Sequence, residues 1–121
     1  MATDVIGWIA LGGAAGAAAR FLLGRALDRP GGMPYGTALA NVLGSALLGL
    51  VATLGPGTAV LALVGTGFCG AFTTYSSYAL AVALLGTPRE SRTAAILLTV
   101  TVPVAAVAAC ALGAVVGGAL A

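Results

Sequence analysis

Between Arg29 and Arg89 run 59 residues without one charged side chain. No water-facing surface can be built from such a stretch, and the rest of the chain is similar. The whole sequence holds five arginines, three acids and no lysine or histidine. Charged residues make up 7% of 121 residues and hydrophobic ones 60%, against a globular norm of roughly 25% charged. The composition therefore predicts an integral membrane protein. A net charge of +2 gives no reason to expect nucleic acid as a partner, and the absence of histidine removes the usual metal ligand and proton relay.

Charges also count the spans. A membrane helix needs about 20 apolar residues to cross about 30 Å of hydrocarbon. The stretch 30–88 has room for two, with Gly55-Pro56-Gly57 as the turn between them. The 29 uncharged residues from Thr93 to Ala121 make another, and the segment 5–27 a further one, interrupted only by Arg20. An open chain satisfies its backbone in lipid only as helix. The expected fold is all-α: one domain over 1–121, with four transmembrane helices at about 5–27, 35–54, 59–85 and 93–119. The first four residues carry no basic group, so a cleaved signal segment is not expected. Both cysteines, Cys69 and Cys110, fall within spans and read as small packing residues.

Helices in lipid associate through close contact of small residues. Gly12 and Gly16, Ala40 and Gly44, and Gly113 and Gly117 are pairs four apart and read as packing seams. Four short spans enclose little by themselves, so a path for solute is expected between subunits of a dimer. Arg25, Arg29, Arg89 and Arg92 all fall at one side of this topology and no basic residue at the other. The positive-inside rule then places loops 25–29 and 89–92 in the cytoplasm of a multi-pass plasma-membrane protein.

Polar groups inside the spans are costly and mark function or hydrogen bonding. Thr37, Asn41 and Ser45 share a helix face at spacings of four. Thr73-Thr74-Tyr75-Ser76-Ser77-Tyr78 is a run of six hydroxyl residues preceded by Gly65, Gly67 and Gly70. Glycine frees the backbone and hydroxyls compete for it, so the third helix is expected to break near the bilayer midplane. Such a break is tolerated where it lines a cavity, and its freed carbonyls can coordinate a cation. Tyr75 and Tyr78 would face the same way if the following turn is helical. Arg20 reads either as an anchoring or anion-attracting group or as a structural one, with its stem able to snorkel. No carboxylate lies within a span, Asp4, Asp28 and Glu90 being at the edges. This favours a passive pore over a proton-coupled small multidrug-type exporter; a non-conducting structural subunit is the remaining alternative. Nothing in the sequence suggests an enzyme.

The segments Gly12-Gly-Ala-Ala-Gly16-Ala-Ala-Ala-Arg20, Gly36-Thr37-Ala-Leu-Ala-Asn41-Val-Leu-Gly44 and Gly67-Phe-Cys-Gly70-Ala-Phe-Thr73-Thr-Tyr-Ser-Ser-Tyr78 resemble the Fluc (CrcB) fluoride channels, in order and spacing. The resemblance implies a passive fluoride-selective channel that exports fluoride from the cytoplasm and relieves its toxicity. It implies an antiparallel dimer with two pores and a central structural sodium ion (Na+), held by the backbone carbonyls of Gly70 and Thr73. Asn41, Tyr75, Tyr78, Ser76, Ser77 and Thr37 would line the fluoride pore. Three departures stand out: tyrosines replace the family's phenylalanines, the fourth helix offers only Thr99 and Thr101 before Pro103, and the arginine bias is strong. Together they suggest a fixed orientation and an oppositely inserted paralogue as partner, the alternative being a dimer of this chain with itself and tyrosine-lined pores.

Overall fold

The structure, a computed structural model, describes residues 2–30, 32–85 and 92–121. Arg89 and Glu90 lie outside the described residues, as does most of the second arginine loop. All regular structure among the described residues is helical. Helix α1 spans Ala2–Leu27 and α2 spans Tyr35–Leu54. The third span, Thr58–Leu85, consists of α3 at 58–72 and α4 at Ser76–Leu85. Helix α5 spans Arg92–Leu120. The four spans are each long and apolar enough to cross a membrane.

Helix ends follow local chemistry. Helix α1 carries Asp4 in its first turn and Arg25 in its last, each charge complementing the backbone dipole at its end. Helix α2 stops where Gly55 turns left-handed, with φ 63° and ψ 43°, a conformation that glycine adopts without a Cβ penalty. Pro56 then prevents continuation.

The most extensive packing joins α1 to α3 and α2 to α5. Each pair runs in parallel, and each is sealed by glycine. A Cβ on Gly12 or Gly16 would strike the backbone of Leu63 or Phe68, and one on Gly67 would come within 2.6 Å of the Ile9 carbonyl. Across the second pair, Gly49 faces the Cys110 carbonyl, while Gly113 and Gly117 face the backbone of Ala46 and Leu50. The seams expected at Gly12/Gly16 and Gly113/Gly117 thus lie between helices that are not neighbours in sequence. Gly44 abuts the Phe72 ring and the Thr73 methyl, and buried Ala40 lies one turn before it.

Within α3, Leu61–Cys69 is π-helical. Ala62, Gly65, Gly67 and Cys69 of this stretch are buried, as is Phe72 just beyond it. Phe68 and Phe72 stack with ring centroids 5.3 Å apart. Large apolar side chains such as Ile6, Phe21, Leu84, Ile96, Val107 and Leu112 face outward, as lipid contact requires.

Candidate functional site

Regular helix ends at Phe72 and resumes at Ser76, with Thr73 extended at φ −78° and ψ 152°. A helix end leaves its last carbonyls without intrahelical donors, and in an apolar setting each must find a partner. The surrounding residues supply partners for the Cys69, Ala71 and Thr74 carbonyls. Thr73 N–H and its hydroxyl both donate to the Cys69 carbonyl, at 3.0 and 2.8 Å. Arg20 Nε donates to the Ala71 carbonyl at 3.0 Å, and its terminal nitrogen reaches Ser77 Oγ at 3.4 Å. Asn41 Nδ2 donates to the Thr74 carbonyl at 2.9 Å, while Thr74 N–H returns a bond to Asn41 Oδ1 at 2.7 Å. Ser77 N–H donates to Thr74 Oγ1 at 3.4 Å, beginning α4.

A cavity of about 430 Å³ opens beside this linker. Asn41, Ser45, Gly70, Thr73, Thr74, Tyr75 and Tyr78 form its polar wall, and Val102, Pro103 and Ala106 of α5 form the other. Pro103 cannot donate to the Thr99 carbonyl, so the helix is locally loosened at this wall. Tyr75 is 85% exposed and Tyr78 6%, although both touch the cavity. The Tyr78 hydroxyl donates to the Leu98 carbonyl on α5. This places the oxygen that distinguishes it from phenylalanine on a helix backbone.

A second recess of about 380 Å³ collects Arg20, Arg25, Asp28, Thr37 and Ser77. The sequence-predicted residues therefore divide. Asn41, Gly70, Thr73, Tyr75 and Tyr78 share the first cavity; Thr37, Ser77 and Arg20 share the second; Ser76 is exposed and lines neither. Thr74 joins the two groups through its bonds to Asn41 and Ser77.

One residue was legible in the sequence only as an edge charge. Asp28 Oδ1 accepts from Gly36 N–H at 2.6 Å and Thr37 N–H at 3.2 Å, and Oδ2 accepts from the Thr37 hydroxyl at 2.6 Å. It caps α2 from the preceding loop, since Pro34 at the helix start has no side-chain oxygen. The signal available was a Pro/Gly-rich loop needing an outside acceptor for the first N–H groups of α2. Replacing Asp28 with Ala should cost about 1 kcal/mol and lower the thermal midpoint. Thr37→Ala should cost less, because both N–H caps survive. Equal midpoints for Asp28→Ala and the parent would contradict this.

Comparison with known proteins bears on the family of the chain. The family model described as CrcB-like protein, Camphor Resistance (CrcB), matches residues 7–117. A fluoride-specific ion channel FluC 2 of Rhodococcus jostii (strain RHA1) is 43% identical over 72 residues, covering 60% of this chain and 63% of the relative. A fluoride-specific ion channel FluC 1 of Bradyrhizobium diazoefficiens is 41% identical over 80 residues, covering 60% and 56%. One from Symbiobacterium thermophilum, also FluC 1, is 46% identical over 83 residues, covering 60% and 67%. The chain thus spans about 56–63% of the length of the first two relatives. With the family model running from the first helix to the last turn of the fourth, the chain belongs to the CrcB-like family.

Proposed function

We propose that this chain forms a passive fluoride-selective channel in the plasma membrane, letting fluoride leave the cytoplasm, and that it performs no catalysis. The observation that carries this reading is the cavity at the 73–75 linker, where amide, hydroxyl and aromatic groups converge without a carboxylate. Fluoride is small and strongly hydrated, so a dry passage must replace its lost water. Asn41 keeps one N–H beyond the one given to Thr74, since a primary amide has two. Ser45 adds a hydroxyl, and the ring edges of Tyr75 and Tyr78 present the positive side of their quadrupoles. Donors of this strength bind weakly enough to release, as conduction requires.

The cavity is open, with Tyr75 on its outer rim, so a second subunit would complete it. An antiparallel partner fits this reading, either another copy or an oppositely inserted paralogue. The one-sided arginines, including Arg25, Arg29 and Arg92, favour a fixed orientation with those loops in the cytoplasm, and hence the paralogue.

The chemistry of the linker suits a structural sodium ion. A continuous helix would give the Thr74 N–H to the Gly70 carbonyl and the Ser77 N–H to the Thr73 carbonyl. Both donors go elsewhere, to Asn41 Oδ1 and Thr74 Oγ1. The Gly70 and Thr73 carbonyls are therefore left without their helical donors, and both residues line the cavity. They would hold sodium, which would supply positive potential beside the anion path without a titratable group.

Purified protein in liposomes tests the function. Fluoride efflux that is indifferent to a pH gradient is the expected result. Proton-coupled drug uptake would make it an exporter, and no flux alone or with a paralogue would make it a structural subunit.

A further inference from the structure

We infer that Asn41 is the positioning residue that makes the Gly70 carbonyl available to a cation, apart from any contact it makes with an anion. The inference rests on the reading of Gly70 and Thr73 as sodium ligands. In an α-helix, each N–H closes on the carbonyl four residues back. Thr74 N–H therefore belongs to Gly70. Asn41 Oδ1 takes that donor at 2.7 Å, and Asn41 Nδ2 donates at 2.9 Å to the carbonyl of the same residue.

A side-chain amide carries a donor and an acceptor on one head, and here both ends are spent on one residue of a neighbouring span. The effect is that Thr74 can leave the helix with neither of its backbone groups orphaned in an apolar environment. The Gly70 carbonyl loses its donor as a result. No neighbouring atom lies within 4 Å of the place a Gly70 Cβ would occupy, which leaves open space beside that residue.

Thr74 repeats the device on the second carbonyl, its hydroxyl taking the Ser77 N–H that would close on Thr73. Asn41, on α2, thus controls both arms. Without it the Thr74 peptide has every reason to turn back into the helix, taking its hydroxyl along. Asn41 also lines the cavity and has a second amide N–H beyond the one given to Thr74, so one side chain can serve the anion path and shape the cation ligands.

The test separates these roles with full-length protein in detergent. Thermal unfolding is followed in sodium chloride and in N-methylglucamine chloride of equal ionic strength, and fluoride efflux is measured in liposomes. A ligand that binds only the folded state raises its midpoint by mass action. The parent should therefore show a sodium-dependent rise. Asn41→Leu should lose both that rise and the flux. Asn41→Asp keeps the acceptor for Thr74 N–H and loses the donor. It should retain the sodium-dependent rise while its flux falls at least tenfold, the tenfold being on the order of one lost hydrogen bond. If Asn41→Leu does not fold, Asn41→Ala, which removes the amide without adding bulk, is read by the same criteria. A sodium response undiminished in Leu or Ala would reduce Asn41 to an anion donor and overturn the inference, as would a parent with no response to sodium. A parent that passes no fluoride but responds to sodium, with the response lost in Asn41→Leu, would end the channel reading and leave this one standing.

Discussion

Gly113→Val is expected to leave almost no correctly assembled protein, whereas Gly118→Ala should be indistinguishable from the parent. The two glycines stand five residues apart on α5 and differ in what a side chain would meet. A Cβ on Gly113 would clash with the Ala46 carbonyl oxygen and come within 3.0 Å of the Leu50 nitrogen; at Gly118 nothing lies within 4 Å. The obstacle at Gly113 is backbone, so no rotamer change relieves it. The helices must separate, and the separation is shared by Gly49 against Cys110 and Gly117 against Leu50 in the same seam. In lipid, burial of apolar surface gives little drive for helices to associate, so packing contacts carry the association. A gap of even 0.5–1 Å forfeits roughly a quarter to a half of each contact's attraction. Overpacking costs about 1–3 kcal/mol in soluble cores, and a seam shared by three glycines should reach the upper part of that range. Size-exclusion profiles and thermal midpoints of the two variants, solubilised side by side, measure this. A Gly113→Val protein with the parental profile would show that α2 and α5 do not meet here.

That seam also shows what a sequence of this kind reveals. Glycines four apart in an apolar stretch announce a close contact, and Gly12, Gly16, Gly113 and Gly117 all make one. The partner helix is not encoded in the spacing, because any backbone can fill the groove. The pairing of α1 with α3 and of α2 with α5 therefore emerges only from the fold. The π-helical stretch Leu61–Cys69 was illegible for a related reason. Its hydrogen-bond pattern leaves no mark on side-chain type, and the nearness of α1 to Gly67 is a tertiary property.

The six hydroxyl residues did mark where the helical hydrogen bonds would be contested, and Thr73 and Thr74 each take part in side-chain-to-backbone bonds there. Facing directions were harder. Spacing of three aligns side chains only inside a helix, and Tyr75 precedes the first helical residue, Ser76. Tyr75 accordingly lies exposed while Tyr78 is buried with its hydroxyl on Leu98. The sequence left Arg20 open between anchoring, anion attraction and structure, because what decides its contacts is a helix end 51 residues away.

Those contacts make Arg20→Lys the sharpest remaining test of the proposed channel, under which fluoride efflux is expected to fall at least about tenfold despite the retained charge. Arg20 Nε holds the Ala71 carbonyl on α3 and a terminal nitrogen reaches Ser77 Oγ on α4. The guanidinium therefore spans the 73–75 linker from the α1 side, opposite in role to Asn41 from α2. A cation at a helix C-terminus gains about 0.3–1 kcal/mol from the dipole, and a hydrogen bond with a charged donor about 1.5–3 kcal/mol. Lysine reproduces the first of these. Its compact ammonium lacks the rigid fork that reaches two acceptors at once, so one side of the linker is released. At about 1.36 kcal/mol per factor of ten, the loss of one such bond corresponds to a drop of at least about tenfold. Arg20→Met loses the charge as well and should fall further. Measuring both variants at low and high ionic strength separates this from simple attraction of fluoride by a positive charge. Attraction is screened by salt over about 10 Å at 0.1 M, so under that mechanism lysine would restore parental flux and the deficit of methionine would shrink as salt rises. A deficit in lysine that salt does not change means that the shape of the guanidinium matters, and that Arg20 acts by holding the two halves of the third span in place.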